Sequence, residues 1–383
     1  MKIGITCYPT YGGSGAVATE LGIALAGRGH EVHFISYQQP FRLPSFLPGI
    51  YFHEVQVGQY PLFEYPPYDL ALAVRMHEVV QQHGVELLHC HYAIPHATSA
   101  WIAREMLHKT NQDVALVTTL HGTDITIVGQ DPSFHAITKF SIERADRITA
   151  VSEFLRAETI NAFQCTACTV SVIHNFIDPA IYNRERYQSG RRPFGAHNRV
   201  LMHISNFRAV KRVRDVVRIF ARVCAEVPSV LVMVGDGPER AAAEDEARQL
   251  GVSHNVYFLG KIDAVAPLLA DADLFLLPSQ TESFGLSALE ALASGVPVIG
   301  SDAGGIPEVV ENGVTGLLYP VGDVHAMAEG ALSILRDPAR HRAMSAAAAA
   351  EARERFALDT IVSQYEALYR SALPEPSASS GTR

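Results

Sequence analysis

The chain has 383 residues, 48% of them apolar and 19% charged, with a net charge of −9 at pH 7. That profile excludes a disordered, collagen-like or disulfide-scaffold protein and, at about 100 to 200 residues per domain, points to two domains. Thirty-one basic against 40 acidic side chains argue against nucleic acid or an anionic membrane as partner, because phosphates need a basic face.

In chain order, short apolar runs alternate with helix-length amphipathic stretches, the pattern of βαβ units and a parallel sheet. The N-terminus, Met-Lys-Ile-Gly-Ile-Thr-Cys-Tyr-Pro, reads as a buried first strand and not as a signal peptide. Strands are predicted at 2–7, 31–36, 86–90, 114–120 and 147–151, with helices near 16–29, 70–83, 96–108 and 133–145. Residues 183–199, NRERYQSGRRPFGAHNR, carry five Arg and no apolar period and read as a linker. The alternation resumes with strands near 200–205, 229–235, 255–259, 273–277 and 296–300 and helices near 212–226, 238–250 and 284–294. Helices near 339–355 and 358–372 follow, and the tail 374–383, rich in Pro and Ser, is expected to be disordered. The expected fold class is therefore α/β, with one doubly wound Rossmann-like domain over 1–182 and a second over 200–357. Open sheets bind ligands at the carboxyl ends of their strands, so the two domains are expected to face each other across a cleft. Few cysteines, odd in number (Cys7, Cys90, Cys165, Cys168, Cys224), and no apolar run near 18 residues give a cytoplasmic expectation.

Four segments carry chemistry. Gly12-Gly13-Ser14-Gly15 lies between the first strand and first helix, where glycines let backbone N–H groups approach an anion at a positive helix end. A tight turn without ligand is the alternative reading. Ser205-Asn206-Phe207-Arg208-Ala209-Val210-Lys211 follows the first strand of the second domain, and its two cations, three residues apart, can converge on one anion. The most specific segment is Glu282-Ser283-Phe284-Gly285-Leu286-Ser287-Ala288-Leu289-Glu290. Glu282 is expected in the loop and Glu290 one turn inside a helix, a separation suited to two hydroxyl-bearing parts of one extended ligand. Thr118-Thr119-Leu120-His121-Gly122-Thr123-Asp124 puts a His at a strand's carboxyl end, where it can hydrogen-bond a substrate or act as a base.

Three further patterns are weaker. His89, His91 and His96 lack a completing ligand for a metal. Cys165 and Cys168 form a CxxC without a second pair, read as incidental thiols. Asp271-Ala-Asp273 mimics a metal-binding DxD but stands before a strand, at the wrong end of the sheet, and reads as a helix-to-strand junction.

Together these residues resemble retaining glycosyltransferases of the GT-B fold, family 4, whose EX7E motif matches Glu282…Glu290. Within that family, GITCYPTYGGSGAVATELG (4–22), YFHEV (51–55), YPPYDLALA (65–73), HYAIPHA (91–97), TTLHGTDIT (118–126) and SNFRAVKRV (205–213) are similar to the bacillithiol-pathway branch. The resemblance implies transfer of N-acetylglucosamine from UDP-N-acetylglucosamine (UDP-GlcNAc) to the hydroxyl of L-malate, without a metal or other cofactor. It implies that Gly13, Gly15, Arg208 and Lys211 hold the diphosphate, helped by backbone at Ser283, Phe284, Gly285 and Leu286. Glu290 is then the ribose partner and Glu282 the partner of the sugar's 3-hydroxyl, with His121 on the sugar's other side. His121, Glu282, Arg208 and Lys211 form the catalytic set, and Ser14, Tyr92, Thr118, Thr119, Asn206 and Arg208 are the acceptor candidates. The family also packs the last helix, near 358–372, against the first domain, and a homodimer is the expected assembly. Alternatives are a family 4 enzyme with another small polar acceptor such as inositol phosphate, a lipid acceptor, a UDP-GlcNAc 2-epimerase, or a nucleotide-sugar sensor without turnover.

Overall fold

The computed structural model describes residues 1–10, 12–58, 61–165, 168–187, 194–195 and 197–374. Residues 188–193 and 196 of the linker segment and the tail beyond residue 374 lie outside the described residues. The chain forms two compact units, 1–151 with 155–173 and 361–383, and 152–154 with 174–360.

The first unit holds a seven-stranded sheet: β1 (Lys2–Thr6), β2 (Glu31–Ser36), β3 (Ile50–Glu54), β4 (Leu87–His91), β5 (Ala115–Leu120), β6 (Arg147–Ala150) and β7 (Val170–Val172). Their order is β3-β2-β1-β4-β5-β6-β7, every pair parallel. The second unit repeats the plan with β8 (Arg199–Ile204), β9 (Ser229–Val234), β10 (Val256–Gly260), β11 (Leu274–Leu277), β12 (Val298–Ser301) and β13 (Gly316–Tyr319), in the order β10-β9-β8-β11-β12-β13. In each, the order reverses beside the first strand, the place where doubly wound sheets seat a ligand.

Central strands such as β9, Ser-Val-Leu-Val-Met-Val, are buried at every position because helices cover both faces of a parallel sheet. Edge strand β3, Ile-Tyr-Phe-His-Glu, is instead mostly open, with His53 its one buried residue. The last helix, Leu358–Ala372, joins the first unit from Ile361 onward. There Tyr365 and Tyr369 are fully buried, Tyr369 hydrogen-bonds His89 Nδ1 at 2.8 Å, and Glu366 meets Arg28 and His30.

Two details bear on the sequence reading. Cys165 and Cys168 are joined as a disulfide, which corrects their reading as incidental thiols; their Cα atoms, 5.4 Å apart, suit that bond. Asp271 ends the helix Ala266–Asp271 just before β11, and Asp273 accepts from the Val200 N–H and pairs with Arg199, so this DxD is a junction. Among the described residues no helix is long and apolar enough to cross a membrane.

Candidate active site

In the first unit the carboxyl ends of β1, β4 and β5 carry the candidate side chains. After β1 the chain turns through the glycines into the helix Gly13–Gly27. A Cβ on Gly15 would stand 2.6 Å from the Tyr8 carbonyl oxygen, so only glycine lets the helix start this close to the strand end. Ser14 accepts a hydrogen bond from the Tyr92 hydroxyl at 3.0 Å, joining this turn to the loop after β4. Tyr92 takes a left-handed φ of 98° and packs edge-on against Tyr8. Burial pushes its pKa up to about 12, so the phenol keeps its proton and can donate.

Beyond β5, Gly122 adopts φ 121° and lets the chain turn sharply after His121. Buried Asp124 accepts from the N–H groups of Ala93 (3.1 Å) and Gly122 (3.0 Å), tying the loops after β4 and β5 together. His121 is half-buried, and its Nε2 lies 2.8 Å from His91 Nδ1 with the rings stacked. Loss of hydration lowers its pKa to about 3, so it is a neutral imidazole at ordinary pH. His96 donates from Nδ1 to the His91 carbonyl oxygen at 2.6 Å, and His89 bonds Thr119. Thr118 and Thr119 are buried within β5, and the Thr119 hydroxyl is engaged with His89, Thr149 and Tyr365. Both side chains, expected among the acceptor candidates, thus lie inside the sheet in this structure.

In the second unit the loop after β8 is fastened from below. Buried His203 donates from Nδ1 to the Leu276 carbonyl oxygen, and its Nε2 accepts from Ser205 Oγ, both at 2.8 Å. Ser205 Oγ in turn accepts from the Phe207 N–H at 3.3 Å. A Cβ on Gly235 would fall 1.8 Å from the Ser205 carbonyl oxygen, so the loop after β9 lies directly against this turn. Asn206 and Arg208 are exposed, and Lys211 ends the short 3-10 turn Ala209–Lys211.

Gly285, at φ 97°, caps the helix Leu286–Ala293, as the nine-residue pattern predicts. Lys211 Nζ lies 2.6 and 2.7 Å from the two carboxylate oxygens of Glu282, and Ser279 Oγ donates to Oε1 at 2.8 Å. Glu290, 7% exposed, accepts from the Tyr182 hydroxyl at 2.5 Å. The loop after β12 backs this segment: Gly305 N–H donates to the Glu282 carbonyl oxygen at 2.8 Å, and a Cβ on Gly304 would lie 2.3 Å from that oxygen. Thus Glu282, Lys211 and the Gly285 cap converge in one unit, while Gly15, Ser14, Tyr92 and His121 gather in the other.

Both halves match known proteins. Residues 11–181 match glycosyltransferase family 4, and residues 188–351 match glycosyl transferases group 1. The chain is 49% identical over 375 residues, 97% of each chain, to the N-acetyl-alpha-D-glucosaminyl L-malate synthase of Bacillus anthracis. It belongs to glycosyltransferase family 4. A D-inositol 3-phosphate glycosyltransferase of Mycobacterium tuberculosis is 28% identical over 96% of this chain and 80% of its own. The family 4 chain also shares its GT-B fold with solved structures. Sucrose-phosphate synthase from Thermosynechococcus elongatus has a TM-score of 0.79 at 23% identity, covering 97% and 98% of the two chains. Anabaena HepE, in complex with UDP and glucose, has 0.78 at 22%, covering 97% and 100%.

Sequence reading of this family 4 enzyme missed His203, Tyr182 and the Gly304-Gly305 turn. The pair of glycines separated by two residues from the run Val298–Ser301 is a visible signal. Tyr182 had none, because it meets Glu290 across 108 positions of chain.

Proposed function

We propose that this glycosyltransferase moves N-acetylglucosamine from UDP-GlcNAc to the hydroxyl of L-malate with retention of configuration. The observation that carries the proposal is 49% identity along almost the whole length of the malate synthase, against 28% to the inositol phosphate enzyme.

The proposed chemistry follows from the side chains. In the second unit, exposed Arg208, Lys211 and the N–H groups at the Gly285 cap supply positive charge for the diphosphate, and their contribution grows as UDP departs. Glu290, oriented by Tyr182, takes the ribose hydroxyls, and Glu282, held by Lys211 and Ser279, takes the 3-hydroxyl of the sugar. In the first unit the Gly13 and Gly15 turn serves the phosphate, while Ser14 and Tyr92 serve malate together with Asn206 and Arg208. Neutral His121 hydrogen-bonds the sugar. The bond from the anomeric carbon to the β-phosphate oxygen breaks, the bond to the malate oxygen forms on the same face, and the malate proton passes to the departing phosphate. A cytoplasmic homodimer belongs to the same reading, in keeping with the prevalence of two-fold assemblies; sedimentation equilibrium checks it. Identification of the product by NMR tests the reaction: an α-linked N-acetylglucosaminyl malate is expected, and a β-linked product or free sugar contradicts it.

A further inference from the structure

At the β3 edge of the first sheet, three histidines that the transfer reaction does not use converge. His33 lies in β2, His53 in β3, and His83 ends the helix Tyr68–His83; one ring nitrogen of each lies within 4.8 Å of the others. The strand register explains the gathering. Parallel pairing sets His33 beside Tyr51 and Ile35 beside His53, and alternation puts His33 and His53 on one face. Their rings stack at 5.1 Å, and His83 approaches both, at 4.8 and 5.0 Å between centroids. His33 and His53 are buried, and His83 is half-exposed, which gives the cluster a route from solvent.

The hydrogen bonds define the lone pairs. The Glu31 carboxylate can only accept, so His33 donates to it from Nε2 at 3.0 Å. The Nδ1 of the neutral ring is therefore bare and faces His53 Nε2 at 2.9 Å. A carboxylate holding the far N–H of a histidine whose other nitrogen faces a ligand cluster is the outer-shell arrangement of metal-binding imidazoles. His83 also sits in the last turn of its helix, where the carbonyl ends favour a cation. Lys2, which donates to the His83 carbonyl oxygen and pairs with Glu31, and Arg75 are the cations nearby.

We infer that His33, His53 and His83 form a binding site for a borderline transition-metal ion of the zinc class, with Glu31 as the positioning carboxylate and water as the fourth ligand. Two imidazole nitrogens about 2.0 to 2.1 Å from a tetrahedral zinc stand about 3.4 Å apart, so His33 and His53 separate by about half an ångström while half-exposed His83 swings in. His53 moves its proton to Nδ1 and ligates through Nε2. The site lies on edge strand β3, its neighbour β2 and the end of a helix, whereas Gly15 and His121 follow the inner strands β1 and β5; the ion is thus structural and takes no part in sugar transfer.

The test uses the untagged full chain, stripped of metal and titrated with Zn2+ against a chromophoric chelator, with Co2+ absorption as a second readout. One Zn2+ per chain is expected, with an intense tetrahedral Co2+ band and a raised Tm. His53→Gln and the more exposed His83→Gln should each weaken binding at least about 100-fold, and Glu31→Gln about 10- to 100-fold. His121→Gln should bind as the parent does. Circular dichroism confirms that each variant is folded. Absence of a stoichiometric ion, or affinity unchanged in both His53→Gln and His83→Gln, overturns the assignment.

Discussion

Lys211 contacts both oxygens of Glu282, and Tyr182 contacts Glu290, so each acid of the nine-residue motif is held by a partner far away in sequence. The acids themselves were legible because their spacing and Gly285 recur as one pattern. Their partners were not, since long-range contacts leave no local periodicity. Glu290→Ala should weaken UDP-GlcNAc binding by about 1 to 3 kcal/mol, the cost of leaving a bonded hydroxyl unpaired. Tyr182→Phe should have a smaller effect in the same direction, because it frees the carboxylate without removing it. Calorimetric titration of both variants with UDP-GlcNAc checks the pair, and unchanged affinity in Glu290→Ala contradicts the ribose role.

Among elements, the strands of both sheet centres were readable as apolar runs because both faces are buried, and their bounds agree with the structure to within one or two residues. Several pieces escaped, among them β13, the helices Ala266–Asp271 and Val324–Leu335, and three with a plain physical reason. β3 mixes exposed aromatics with one buried His, β7 has three residues, and the helix Glu153–Phe163 is weakly amphipathic, so none shows a clear period. Turns behave differently, since a glycine marks a turn without saying what lies against it. Gly235 shows the consequence. Because its Cβ would overlap the Ser205 carbonyl oxygen at a φ of 120°, Gly235→Ala must displace the turn that carries Asn206 and Arg208. The variant should stay folded with transferase kcat/KM reduced at least tenfold; parent-like kinetics would show that this turn need not be held so closely.

For the whole molecule, buried histidines set the response to acid. His89, His96 and His203 are fully buried, and loss of hydration lowers their pKa values to about 3, 4 and 4 from 6.5. Each folded-state value lies below the unfolded one, so the stability these groups confer is complete above about pH 6.5 and is lost as pH falls toward 3 to 4. The loss is about 1.4 kcal/mol per group per pH unit in that window. Asp124 opposes it: burial raises its pKa to about 6 from 3.8, so it favours the folded state as pH drops through the same range. Three groups outweigh one. The urea midpoint should therefore be clearly lower at pH 5.5 than at pH 7.5, and an equal or higher midpoint at pH 5.5 would contradict the neutral buried histidines. The tie from Tyr369 to His89 brings the last helix into this response, a link between chain end and sheet that no sequence period carries.

The most direct test of the proposed reaction is the rate of UDP release from UDP-GlcNAc with L-malate, inositol phosphate or water as the sole acceptor. Release that depends on malate and is at background with the other two is the predicted result. Release that is independent of malate, or faster with inositol phosphate, would contradict the acceptor while leaving the family and fold intact.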